Sequence, residues 1–98
     1  MSPTRACWAV ETIFIENALE GRKPYRAEHL DRIRTLMAEG RCLMAGAFDD
    51  MKGALLVFAV ETEAEAIRLI EEDVYWQRGI WTSHRARKLN RVVPADEG

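Results

Sequence analysis

The chain carries two histidines, His29 and His84, and histidine is the side chain whose ordinary titration lies nearest neutral pH. His29 belongs to a segment in which Leu30, Ile33, Leu36 and Met37 recur at three- and four-residue steps, the spacing of one helical face. On a helical wheel it falls inside that apolar arc, so its ring is directed at whatever the helix packs on. Arg26, one turn earlier, lies on the same arc. Asp73 closes a second periodic segment, at nearly the angle of Ala66 and about one turn beyond Ile70, so it too is expected to point inward. At a helix C-terminus the carbonyls already present partial negative charge. Helix propensity therefore gives no reason for this carboxylate, and something else must hold it. An imidazole and a carboxylate directed inward by separate helices can form a hydrogen-bonded dyad, in which the Asp sets the tautomer of the His and supports its protonated form. Such a pair serves as a general base. The structural alternatives are a satisfied core histidine and an aspartate that caps the next turn, and the pattern alone leaves both open.

Other chemistry-bearing residues are less distinctive. His84 falls in a strand-like segment in phase with Ile80 and Thr82, and would either line a pocket or lie exposed. Tyr75, Trp76 and Trp81 are aromatic enough to wall a ligand pocket, or to pack a core. The stripe Arg85-Ala86-Arg87-Lys88-Leu89-Asn90-Arg91 reads as a solvated strand edge or, with Arg85 and Arg87 on one face, as a place to capture an anion. Glu11 interrupts an apolar strand and is either an edge or rim residue or a pocket carboxylate, with the cost of burial favouring the first. No phosphate-cradling glycine loop, nucleophile elbow, H-E-x-x-H or dinucleotide fingerprint occurs. Cys7 and Cys42 lie in no C-x-x-C or Cys/His cluster, which argues for reduced thiols acting as small apolar side chains and against a metal site.

The elements that must position these residues follow from periodicity. Ala6 to Ile15 reads as a strand, with Trp8, Val10, Thr12 and Phe14 on one parity. Glu16 to Pro24 reads as a polar, exposed loop punctuated by Gly21 and Pro24. A helix from Tyr25 ends at Gly40. Strands at Arg41 to Phe48 and Ala54 to Val60 flank the turn residues Asp49 to Gly53 and form a hairpin. Thr62 and Glu65 open a second helix expected to run to about Asp73, with Ala66, Ile67 and Ile70 on its apolar face. A long, mostly polar strand spans Ile80 to Val93, and the acidic tail Ala95 to Gly98 is expected to fray. The order β-α-β-β-α-β is the ferredoxin-like arrangement, an α+β fold in which two helices cover one face of a four-stranded antiparallel sheet. Ala54 to Val60 is apolar at seven successive positions, which puts hydrophobic side chains on both sheet faces. Two helices cover only one of them, so the other is expected to pack on a second copy of the chain.

Composition bounds the function. The 98 residues fit a single domain, and fourteen Lys+Arg against sixteen Asp+Glu leave a net charge of -2 without the basic excess of a nucleic-acid binder. No apolar run approaches the ~20 residues of a membrane span, and no targeting segment is recognisable. A soluble, cytoplasmic protein is expected.

The run Arg26-x-x-His29-Leu30-x-x-Ile33-x-x-Leu36-x-x-x-Gly40, then Ala45-Gly46-Ala47, Gly53-x-Leu55 and Asp73-x-Tyr75-x-x-x-Gly79, resembles the YciI-like (YCII-related) family over about residues 6 to 93. This chain has Asp73-Val74-Tyr75 where many members have Asp-Pro-Tyr or Asp-Pro-Phe, and Ala47 where proline is often found. The resemblance implies a dimeric α+β barrel of ferredoxin-like subunits, related in fold to muconolactone isomerases. It also implies that His29 and Asp73 line an active-site pocket. The expected activity is cofactor-independent proton abstraction or elimination on a small carbonyl, lactone or carboxylate compound. His29 would act as base and Asp73 as its orienting partner, with Arg26 or His84 anchoring a carboxylate and Tyr75 and Trp81 contacting substrate. The expected partners are a second copy of the chain and a small-molecule ligand, of which an anionic compound is one version, with no nucleic acid, membrane, metal or cofactor. The alternative is a dimeric protein that binds a small molecule without chemistry.

Overall fold

The computed structural model describes residues 4–94. The expected fraying of residues 95–98 lies outside them. Strand β1 (Thr4–Phe14) is the scaffold, because it hydrogen-bonds on both sides. It pairs antiparallel with β3 (Gly53–Phe58) and with β4 (Trp81–Val92), and β2 (Cys42–Ala47) pairs with β3, giving the order β2-β3-β1-β4. With the helices α2 (Arg26–Ala38) and α3 (Glu63–Glu71) between strands, this is the ferredoxin-like α+β fold.

Alternation along β1 assigns the faces. Val10, Thr12 and Phe14 are buried with Leu56 and Phe58 of β3 beneath the helices, whereas Glu11 and Ile13 point away and are exposed. Glu11 is not at a rim as expected: β1 is an inner strand, and Glu11 is exposed on the face without helices, between Leu55 of β3 and Arg85 of β4. Helix α3 seats itself on the sheet through Ala66, Leu69 and Ile70, all nearly inaccessible. Leu69, not the half-buried Ile67, completes this face, since 66, 69 and 70 follow the i, i+3, i+4 rule. Its start is capped as expected: the Thr62 hydroxyl accepts from the Glu65 N–H and donates to its carboxylate, both at 3.2 Å.

Three expectations change. The segment after β1 is not a loop: Ala18–Gly21 forms a single helical turn, α1, and Lys23–Tyr25 a 3-10 turn with Pro24 near its start, where a missing N–H costs nothing. Ala18 is buried, so the segment is tied to the core. The second helix ends at Glu71, and a further turn, α4 (Val74–Gln77), follows it. Finally, β4 carries a bulge: Ile13 faces Ser83 but Phe14 faces Trp81, leaving Thr82 as the extra residue. The bulge puts Trp81 and His84 on the helix side together, breaking the phase expected from Ile80, Thr82 and His84.

Both α2 and α4 stop at a glycine with positive φ, Gly40 (+77°) and Gly79 (+72°). In each case the next N–H reaches back five residues, Arg41 to the Leu36 carbonyl and Ile80 to that of Tyr75. The hairpin turn needs a glycine for another reason: a Cβ on Gly53 would lie 2.6 Å from the Thr12 carbonyl oxygen.

The sheet face without helices is partly apolar, with Ile13, Met44 and Leu89 remaining 51, 46 and 43% exposed. Among the described residues, no helix is long and apolar enough to cross a membrane.

Candidate active site

Helix α2 rests closely on the core only through Ile33 and Leu36. A cavity of about 630 Å³ lies between this helix and the sheet. Leu30 and Met37, expected as core, line this cavity instead, together with Phe14, Leu56, Met51 and Leu19 from the opposite walls. His29 stands in its wall.

The His29 ring is fixed on three sides. Its Nδ1 lies 2.8 and 3.0 Å from the two carboxylate oxygens of Asp73. Its flat face stacks on Tyr75, with centroids 3.9 Å apart and planes 9° from parallel. Trp81 stands perpendicular to both rings, 5.4 Å from His29 and 5.5 Å from Tyr75. Nearly equal distances to two stacked rings place the indole beside the stack, where their positively polarised edges meet it. A carboxylate only accepts hydrogen bonds, so Nδ1 carries the proton. In the neutral ring Nε2 then holds the lone pair. Nε2 has no hydrogen-bond partner among the described residues and is not shut off from solvent, so it opens to the cavity.

Asp73 is fully buried. Its position answers the question left by the helix-end argument, because it is not a C-terminal residue of α3 in the electrostatic sense. An extended backbone (φ -77°, ψ 141°) ends that helix, and Asp73 becomes the N-cap of α4, accepting from the Tyr75 N–H at 2.9 Å. The carboxylate therefore sits where free N–H groups favour negative charge. Val74 takes the first helical position, the one that suits proline. Arg32, one turn after His29, donates from Nη1 to Oδ2 at 3.0 Å. With His29, Arg32 and the Tyr75 amide all donating, the buried charge is well paired, as its burial requires.

Tyr75 and Trp81 both wall the cavity, and each is 2% exposed. Neither the Tyr75 hydroxyl nor the Trp81 indole N–H has a partner in good hydrogen-bond geometry among the described residues. Burial raises the Tyr75 phenol above its ordinary value of 10.0; Arg22 and Arg26 oppose the shift, Asp73 adds to it, and Arg22 also acts as a weak donor. Burial also raises the Cys42 thiol above 9.0, against its contact with the Met44 carbonyl and the charge of Arg32. The folded chain thus holds both protons more tightly than the unfolded one. Their stabilisation is complete below the unfolded values and is lost as pH rises through the folded ones. Denaturant melts between about pH 8 and 11 should show this decline, and Tyr75→Phe should remove the part that begins near pH 10.

Arg26 lines the cavity as expected. His84 is placed elsewhere: its Nε2 lies 3.0 Å from the Glu71 carboxylate and its ring packs at 4.8 Å on Trp76, outside the cavity lining. The bulge at Thr82 leaves Trp81 and His84 on the same face, but His84 lies farther along β4, where α3 covers it through Glu71. Arg22, Arg32 and Arg34 were not singled out by sequence pattern. Arg22 lay in what read as a loop; it sits at the junction of α1 and the 3-10 turn, and Arg26 begins α2, so no single helical period links them. Among the described residues no group of three metal-ligating side chains occurs.

Comparison with solved structures supports this fold. The 5-chloro-2-hydroxyhydroquinone dehydrochlorinase TftG from Burkholderia phenoliruptrix AC1100, in complex with 2,5-dihydroxybenzoquinone, superposes with a TM-score of 0.70 at 20% identity, covering 83% of this chain and 90% of that one. A NIPSNAP family protein from Agrobacterium tumefaciens str. C58 superposes with a TM-score of 0.54 at 14% identity, over 100% of this chain and 91% of the other. No curated protein matches at a significant level. The sequence profile of the YCII-related domain matches residues 6–90, a span that takes in α2, the hairpin and Asp73, and the chain belongs to that family.

Proposed function

We propose that this protein is a small enzyme, working without a cofactor, that abstracts a proton or drives an elimination next to a carbonyl of a small ring or lactone compound. The observation that carries this reading is the orientation of His29: Nδ1 is tied to a buried, fully bonded carboxylate while Nε2 opens to a cavity large enough for a single-ring molecule. Asp73 keeps the proton on Nδ1 and stabilises the imidazolium formed when Nε2 takes a substrate proton. Tyr75 and Trp81 confine the ring and supply apolar wall. A structural relative that removes chloride from a chlorinated hydroxyhydroquinone and holds a dihydroxybenzoquinone supports elimination from a ring of that size as the class to test first.

The working unit is proposed to be a homodimer. Ile13, Met44 and Leu89 lie on the face that no helix covers, and a second copy would shield them. The test is a panel of chlorinated hydroxyhydroquinones and unsaturated lactones, followed for loss of substrate and, where chlorine is present, for released chloride. Turnover of one panel member with chloride or proton release supports the reading. Tight binding without turnover across the panel would replace it with that of a binding protein, and a clean monomer on sedimentation at micromolar concentration would remove the dimer.

A further inference from the structure

The cavity carries more positive charge than the chain does. Three guanidiniums, those of Arg22, Arg26 and Arg34, and one carboxylate, Asp49, line it, although the net charge of the chain is -2. Arg34 and Asp49 offset each other in sign. Arg22 and Arg26 are not offset: among the described residues neither has an ion-pair partner, while the nearby carboxylates of Glu20 and Asp73 are engaged by Lys23 and by His29 and Arg32. Both act electrostatically on the hydroxyl of Tyr75, which places the two free charges at the end of the cavity where Tyr75 stacks on His29. That hydroxyl is itself a buried group without a good partner, on a residue 2% exposed. A polar group left so is costly unless something completes it. Two guanidiniums without a carboxylate partner stand beside a phenol that has only a weak contact from Arg22, so positive charge at this end of the cavity is not neutralised.

Resting on the reading of this cavity as a ligand site, we infer that the ligand is a planar organic anion whose charged oxygen is held by Arg22 and Arg26 next to the Tyr75 hydroxyl. Guanidiniums bind carboxylate and enolate-like oxygens through paired N–H groups. Placing the negative oxygen there brings the adjacent ring atoms toward His29 Nε2. The same donors would stabilise the negative charge that grows on a carbonyl oxygen as its neighbouring proton is removed. The segment that looks like a polar connector in sequence thus contributes a binding residue, Arg22, at the junction of α1 and the 3-10 turn.

Calorimetric titration with 2-hydroxybenzoate and 2-hydroxybenzamide tests this, because the pair shares shape and differs in charge. The expected result is binding of the carboxylate about tenfold or more tighter than the amide, with the preference falling as salt is raised. Arg22→Gln combined with Arg26→Gln should erase that preference. Both side chains reach solvent, and a circular dichroism spectrum checks that the double variant folds. Should it fail to fold, the salt dependence of the unaltered protein decides. Equal binding of the two probes, binding of neither at millimolar concentration, or an anion preference insensitive to salt would overturn the inference. The readout is binding alone, so an anion preference in a protein without turnover would remove the acid–base reading and leave this one standing.

Discussion

Replacing His29 with asparagine is expected to lower turnover by about 10²- to 10⁴-fold, the range a positioned general base contributes, while the protein remains folded. The asparagine amide can still donate to Asp73, so the buried carboxylate keeps a partner on that side. What disappears is the lone pair on Nε2, the atom that opens to the cavity. Part of the stacking on Tyr75 is lost as well, and a stability cost of about 1 kcal/mol is the ordinary size for such a change. The comparison to make is kcat for the two proteins on one substrate beside their denaturant midpoints. A variant that folds and turns over at the original rate would eliminate His29 as the base.

Asp73 separates position from stability. Asp73→Ala deletes the acceptor of three donors at once: His29 Nδ1, Arg32 Nη1 and the Tyr75 amide. Removing one partner of a buried charged pair costs about 3–5 kcal/mol. Here the lower end applies, because the side chains of Arg32 and His29 remain 25 and 12% exposed and can turn to water. Asp73→Asn should behave differently. Its carbonyl oxygen can still cap α4, so the expected stability loss is smaller, but its NH2 faces donors. If it donates to His29, Nδ1 becomes the acceptor, the proton moves to Nε2 and the cavity-facing base is gone. The expected pattern is a large stability loss for alanine and a large kcat loss with modest destabilisation for asparagine. Equal melting points for Asp73→Ala and the parent would show that the three bonds do not hold the site together.

The difference between Asp73 in the sequence and Asp73 in the fold shows where pattern reading stops. Its inward phase was legible, because 66, 70 and 73 share a helical face. Its role stayed open between a dyad partner and a cap for the next turn, and it makes both contacts; α3 ends at Glu71, two residues before it, and a break followed by a four-residue turn leaves no periodic trace. Arg22 escaped for a similar reason: helices of one turn are too short to display a period. Arg32 lies three residues from His29, but nothing local says that both reach one carboxylate.

The local regularities of the chain determined the order of the strands and the two main helices, the inward phase of His29, the Thr62 cap and the glycine stop at Gly40. Each depends only on residues within a turn or two of one another. The tertiary structure decided the rest. His29 and Asp73 are 44 residues apart and meet at 2.8 Å because α2 and the start of α4 are packed on one sheet. The single extra residue at Thr82 put Trp81 and His84 on the same face, since in a strand one insertion exchanges the faces of all that follows, and the packing of α3 over His84 keeps that residue outside the cavity. The cavity lies between α2, which buries Ile33 and Leu36, and the sheet residues Phe14 and Leu56. Its gap is set by how whole elements pack, and no stretch of neighbouring residues encodes it.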